Sequence, residues 1–204
     1  MTPMRRSYLS NTLGVLFLTL LWPALAYGQW ALGIEVGSDR YWGSSVETGE
    51  QHRSFRPYRP TSLGVGLEKR GHRLGAALHL HYSGASFALE GSEAVAALKG
   101  IFTVVHASAE LVYHVATLGG ANQLRFHGGP ILEVWSVEEE DTQYLVGGQA
   151  GMSLRVPLGG RFAGVVTANL ALTRSPLPEN EPIEGFERRA LWRRSVGGAL
   201  QYQL

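Results

Sequence analysis

From Trp30 onward, aliphatic or aromatic positions alternate with polar residues or glycine over nearly the whole chain. A period of two is the mark of a strand with one apolar and one polar face. Residues 30–42 set Trp30, Leu32, Ile34 and Val36 against Ala31, Gly33, Glu35, Gly37 and Asp39, and residues 61–70 set Leu63, Val65 and Leu67 against Gly64, Gly66 and Glu68. The same phase runs through 72–84, where Leu74, Leu78, Leu80 and Tyr82 oppose Gly75, Ala77, His79, His81 and Ser83. Within 101–115, Val105, Leu111 and Tyr113 oppose His106, Ser108, Glu110 and His114. Residues 123–135, 142–156, 161–173 and 189–204 repeat the pattern, which predicts eight strands.

The connections alternate in length. Short turns follow the second, fourth and sixth segments, around Gly71, at 118–122 and at 158–160. Longer polar connections fill 44–60, 90–100, 137–141 and 174–188. Alternating tight turns and larger loops on an even number of strands predict an all-β, eight-stranded antiparallel up-and-down transmembrane β-barrel. Two soluble arrangements share the alternation: a lipocalin-like barrel with its apolar face inward, for which Gly28-Gln29-Trp30 fits the G-x-W pattern, and a β-sandwich. A lipocalin normally carries a helix after the barrel, and a sandwich predicts no alternation of loop length.

Ahead of the strands, Arg5 and Arg6 precede an apolar run over 13–22 and then Pro23-Ala24-Leu25-Ala26-Tyr27-Gly28. That order is expected of a secretory signal peptide spanning 1–28, cleaved after residue 26 or 28, with the barrel over 29–204. The run is too short for a membrane-spanning helix. The chain holds no cysteine, which excludes disulfides, thiolate chemistry and a lipoprotein anchor. Its net charge of +1 gives no footprint for nucleic acid. Mean hydropathy lies close to zero, too polar for a helical membrane protein yet compatible with a barrel, where only alternate residues face lipid.

Aromatic placement separates the membrane reading from the soluble ones. On the apolar face, Trp30, Tyr113, Phe126, Phe162 and Tyr202 fall near the short-turn ends, and Tyr82, Tyr144 and Trp192 near the long-loop ends. Two such girdles are expected where rings sit at lipid–water boundaries. Arg40 and Arg194 fall near the outer rim.

The last segment, SVGGALQYQL, alternates Leu200, Tyr202 and Leu204 with Gln201 and Gln203. The chain from Trp30 onward resembles the small eight-stranded outer-membrane barrels, the OmpA/OmpX/OmpW-like group. Ser195, Gly197, Leu200, Tyr202 and Leu204 resemble that group's C-terminal assembly signal, with Leu rather than Phe at the last position. The resemblance implies an outer-membrane location, contact with outer-membrane lipid and lipopolysaccharide, and handling by the barrel assembly machinery. The final strand is expected to pair with the first, removing every edge.

The predicted lumen carries Glu35, Glu68, Glu110 and Glu133 with Arg73, Arg125, Arg155 and Arg193, and His79, His81, His106, His114 and His127. Eight strands enclose a space that side chains can fill, so these groups are expected to form a buried network of ion pairs and hydrogen bonds. A narrow gated path along the same residues is the functional alternative. His79 with His81, and His106 with Glu110 and His114, have the residue types of a metal site, although neither a metal nor another cofactor is expected. Catalysis by a hydroxyl nucleophile needs a Ser–His–acid arrangement. His81 with Ser83, and His106 with Ser108, are similar to the His-x-Ser of outer-membrane lipid A deacylases, but no Asn follows either serine. The expectation is a non-enzymatic structural or interaction barrel, serving adhesion or envelope integrity through its outer loops. A lipid A-modifying hydrolase, a narrow pore and a soluble periplasmic lipocalin-like ligand-binding barrel are the alternatives.

Overall fold

The computed structural model describes residues 29–42, 46–47, 54–90, 95–137, 142–174, 186–187 and 190–204. The leader expected over 1–28 lies outside them. Eight strands form the body: β1 (Gln29–Trp42), β2 (Ser54–Arg70), β3 (Leu74–Glu90), β4 (Val95–Leu118), β5 (Asn122–Val137), β6 (Gln143–Gly159), β7 (Phe162–Thr173) and β8 (Leu191–Gln203). Two-residue segments at Val46–Glu47 and Phe186–Glu187 pair with each other at the long-loop end.

Each strand pairs antiparallel with its sequence neighbour, and β8 returns to β1, so the sheet closes. The seam runs from Ala31↔Gln203 to Trp42↔Trp192, while the other side of β1 pairs with β2 from Gln29↔Arg70 to Ser38↔Thr61. Closure leaves no edge along the paired wall, which is the condition for a sheet to stand in hydrocarbon.

The turns are built by residues that tolerate them. Gly120 (φ 77°) closes β4–β5, and Gly159 (φ 114°) with Gly160 (φ 55°) closes β6–β7, all in the left-handed region that only glycine enters freely. Asn122 Nδ2 donates to the Gly119 carbonyl at 3.1 Å and pins the first of these turns.

At the opposite end the strands run further than the sequence pattern implies. Within the connections expected over 44–60 and 90–100, the described residues are strand: Ser54–Tyr58 pairs with Ser86–Glu90, and Phe87–Glu90 pairs with Val95–Leu98. Register shifts at Tyr58/Thr61 and Ala85/Phe87 interrupt the alternation there and hide these extensions from a period-two reading. Pro57 sits where β1 no longer pairs with β2, so its missing N–H costs no ladder bond on that side.

The faces sort cleanly. Ile34, Tyr144 and Val196 stand outward at 71%, 69% and 61% exposure, among a continuous belt of aliphatic and aromatic side chains. Inward, small residues (Ala31, Ala77, Ala163) leave room for long polar ones such as Glu68, Arg125 and Gln201. At the long-loop end, Tyr41, Val104, Trp135, Leu145 and Leu191 form a buried apolar plug, with Tyr41 and Trp135 edge to face at 5.8 Å.

Closure has a direct test. Ile34 and Leu200 are cross-seam partners on the outer face, close enough for a disulfide. The oxidised Ile34→Cys/Leu200→Cys variant should migrate anomalously when denatured, because a near-full-length loop is cross-linked. Ile34→Cys/Val196→Cys, four residues out of register, should not. Equal cross-linking of the two pairs would refute the seam.

Candidate functional site

Beneath the plug the lumen is a file of polar side chains. Arg193 is 3% exposed and forms ion pairs with Glu133 (Nε to Oε1, 3.0 Å) and Asp39 (Nη1 to Oδ1, 3.3 Å). Trp135 Nε1 donates to Glu133 Oε2 at 3.1 Å, tying the plug to this layer. Arg193 Nη2 also donates to Gln149 Oε1 at 3.3 Å, and Gln149 Nε2 donates to Glu110 Oε1.

Next comes a histidine–carboxylate chain. Glu35 takes hydrogen bonds from His79 (Nδ1 to Oε1, 2.9 Å) and His81 (Nε2 to Oε2, 2.6 Å), and His81 Nδ1 lies 2.8 Å from His106 Nε2. A carboxylate only accepts, so both histidine nitrogens facing Glu35 carry protons. Two proton arrangements then satisfy the link to His106. A neutral His81 accepts from His106 Nε2–H. A His81 protonated on both nitrogens instead donates Nδ1–H to His106. Arg193 Nη1, a donor only, sits 3.4 Å from His106 Nε2 and favours the arrangement in which that nitrogen accepts.

Glu110 mirrors Glu35 across the lumen, taking hydrogen bonds from His127 Nδ1 (2.5 Å) and Ser108 Oγ (2.9 Å). Toward the short turns, Arg125 Nη1 grips both oxygens of Glu68 (2.8 and 2.9 Å), Arg125 Nε donates to Ser153, and Gln201 Nε2 donates to Glu68 at 3.0 Å.

The sequence permits this chain because β2 is bare where the side chains cross. Glu35 and His81 are both register partners of Gly64, and His79 is the partner of Gly66. Groups from β1 and β3 therefore meet over glycine backbone. A Cβ on Gly64 would overlap the His81 ring, and one on Gly66 would strike Glu35 Oε1 and come within 2.9 Å of His79 Nδ1.

Cavities follow the same file. One of about 50 Å³ is lined by Glu35, His79, His81, His106, Glu110 and His127, among others. A second of about 30 Å³ links that cluster to Glu68 and Arg125. A third, of about 300 Å³, opens at the short-turn end around Gln29, Arg70, His72, Arg73, His114 and Gln123. The file is thus wetter at the short-turn mouth and blind at the plug. Glu35, His79 and His81 place three ligand-type atoms within 4.8 Å of one another, the geometry that could hold a metal ion.

The residues singled out from the sequence fall as follows. Glu35, Glu68, His79, His81, His106, Glu110, Arg125, His127, Glu133 and Arg193 come together in the file; Arg155 is buried close to the Glu68–Arg125 layer. Arg73, exposed in the β2–β3 turn, borders the mouth cavity, and His114 faces the mouth beside Thr117 (3.2 Å). Ser83 Oγ donates to the Val104 carbonyl (3.3 Å) and Ser108 Oγ to Glu110, so each hydroxyl serves an oxygen acceptor rather than a histidine. Asp39, Gln149 and Gln201, which the alternation already sets on the polar face with Glu35, also join the network. Tyr41, Trp135 and Leu191 sit in that polar phase despite being apolar, and the alternation alone gives no hint of their plug.

On the outer face Trp30, Tyr113, Phe126, Phe162 and Tyr202 are exposed toward the short turns, Tyr82 and Tyr144 toward the long loops, and Trp192 is half-buried there. In β8, Leu200 and Tyr202 point outward, as Leu204 does just beyond its end, while Ser195 and Gly197 line the lumen cavity.

No family model matches the sequence, and no curated protein matches it. Solved structures do. OprG, an outer membrane protein of Pseudomonas aeruginosa, matches at TM-score 0.55 and 11% identity over 86% of this chain and 96% of its own. Neisserial surface protein A matches at 0.55 and 9%, over 84% and 96%. The outer membrane protein AlkL, solved in lipid bilayers, matches at 0.55 and 12%, over 87% and 90%. What the chain shares with these proteins is the fold, the closed eight-stranded barrel of small outer-membrane proteins.

Two substitutions probe the file. Arg193→Met strands Asp39 and Glu133 without a counter-charge and should lower stability by roughly 3–5 kcal/mol, with part of the loss recovered on adding Glu133→Gln. Gly66→Ala overpacks the Glu35–His79 contact and should lose about 1–3 kcal/mol. Urea unfolding of the reconstituted barrel measures both, and unchanged midpoints would contradict the packing described.

Proposed function

We propose that this protein is an integral barrel of a bacterial outer membrane that does not conduct, and that it acts through its outer surface as a structural or interaction element of the envelope. The observation that carries the reading is the pairing of an apolar exterior with a filled interior. Large aliphatic and aromatic side chains stand outward around the wall, a surface that water disfavours at about 25 cal/mol per Å² and that lipid accepts. Inside, ion pairs and the apolar plug occupy the space a pore would need.

The rim supplies candidate contacts with lipid. Arg40 and Arg194 are register partners on neighbouring strands, both exposed and outward. Like charges directly opposite one another destabilise a sheet unless an anion answers them. Arg194 also lies 5.9 Å from the Trp42 ring, which stacks on Trp192 at 6.1 Å. A cationic pair over an aromatic shelf at the long-loop end suits the phosphates of outer-leaflet lipopolysaccharide. The outward Leu200 and Tyr202 in β8 fit recognition by the barrel assembly machinery during insertion.

Fractionation, gel mobility with and without boiling, and planar-bilayer recording test this reading together. The expected result is outer-membrane recovery, a heat-dependent band shift and no unitary conductance. Steady channel currents that vanish on lumen substitution would instead support a narrow pore. Soluble recovery without a band shift would invert the assignment of the two faces, and release of acyl chains from lipid A would support the hydrolase.

A further inference from the structure

We infer that the lumen holds a divalent transition-metal site, with Glu35, His79 and His81 as ligands and His106 as the group that orients His81. Two imidazoles and a carboxylate suit Zn²⁺ and its first-row neighbours, with positions left for water. Their ligand atoms already converge within 4.8 Å, and they border a cavity of about 50 Å³, space enough for an ion with a water.

Three further observations point the same way. First, the site is held rather than incidental: Gly64 and Gly66 clear the space in which groups from β1 and β3 meet. Second, a metal-ligating histidine normally donates its other ring N–H to a neighbour. His81 Nδ1 lies 2.8 Å from His106 Nε2, and Arg193 favours that nitrogen as an acceptor. The file is therefore arranged for a His81 that carries a cation on Nε2. A metal taking that place releases the protons that now join His79 and His81 to Glu35. Third, His106 Nδ1 and His127 Nε2 are buried without hydrogen-bond partners, and both residues line the same cavity. These bare nitrogens lie where water or a metal's coordination shell would satisfy them.

Charge also favours a cation here. Glu35, Glu110, Asp39 and Glu133 surround this part of the lumen, against the single guanidinium of Arg193, which is already taken up by Asp39 and Glu133. Glu35 and Glu110 are left to histidine protons or to a metal.

The test uses the full chain exported to and purified from membranes, with its fold verified by the heat-dependent band shift, and Zn²⁺ alone as the probe. Equilibrium dialysis should find one Zn²⁺ per folded barrel. Glu35→Gln and His79→Gln should each reduce its affinity at least 100-fold, and His106→Gln roughly 10–100-fold as an orienting group. His114→Gln, at the mouth, should leave it unchanged. Co²⁺ on the unsubstituted barrel should give the intense visible bands of a low-coordinate site, a readout that holds even where a variant fails to fold. No bound Zn²⁺, a Co²⁺ spectrum like that of the aquo ion, or Zn²⁺ binding equal in Glu35→Gln and the unsubstituted protein would each overturn the site.

Discussion

Closure of β8 onto β1 is the constraint on which the rest of the molecule depends. A sheet in hydrocarbon cannot leave backbone groups unpaired, so the wall must come back to itself, and once it does the lumen has a fixed and narrow bore. Side-chain phase then has no freedom. A slip of one residue at the seam would turn Leu32, Ile34 and Val36 inward and Glu35 and Asp39 outward. The register from Ala31↔Gln203 to Trp42↔Trp192 therefore sets both faces at once.

A bore that narrow makes the interior a packing problem as much as an electrostatic one. Long polar groups fit only opposite small residues. Glu35, His79 and His81 cross over Gly64 and Gly66, and the ring of His127 and the amide of Asn169 crowd onto Gly151. Glu68, Arg125 and Gln201 lie among Ala31, Ala77 and Ala163. The abundance of glycine on the inward face is thus the complement of the charged file. Overpacking at these positions disturbs ion pairs as well as volume.

Much of this was legible in the alternation. The number of strands, the turns at Gly120 and Gly159–Gly160, and the inward phase of Glu35, His79, His81, His106 and Arg193 all follow from a period of two broken by glycine. What was not legible has physical reasons. The extensions of β2, β3 and β4 lie beyond register shifts at Tyr58/Thr61 and Ala85/Phe87, where the pleat loses its phase. The plug is invisible because Tyr41, Trp135 and Leu191 are apolar residues in a polar phase, and only closure brings them together across the bore. The convergence of Glu35 with His81 is likewise a matter of three strands, since it requires knowing that Gly64 lies between them. Arg73 marks where that reading stops: it sits exposed in the β2–β3 turn and borders only the cavity at the short-turn mouth.

The lumen also separates charge along its length. At the short-turn mouth Glu68 stands among Arg70, Arg125 and Arg155, while the deep half gathers Glu35, Asp39, Glu110 and Glu133 around Arg193. Carboxylates removed from water cost several kcal/mol each unless a donor or cation answers them, and beyond the one guanidinium the deep half offers Glu35 and Glu110 the ring N–H groups of His79, His81 and His127. The plug closes one exit, and the excess of arginine at the mouth raises the barrier to a cation leaving by the other. The same features thus stiffen the barrel and make its deep half retentive for whatever cation sits between Glu35 and His81. Protons or a metal ion there would meet the same ligands, and the difference lies in what occupies His79 Nδ1 and His81 Nε2.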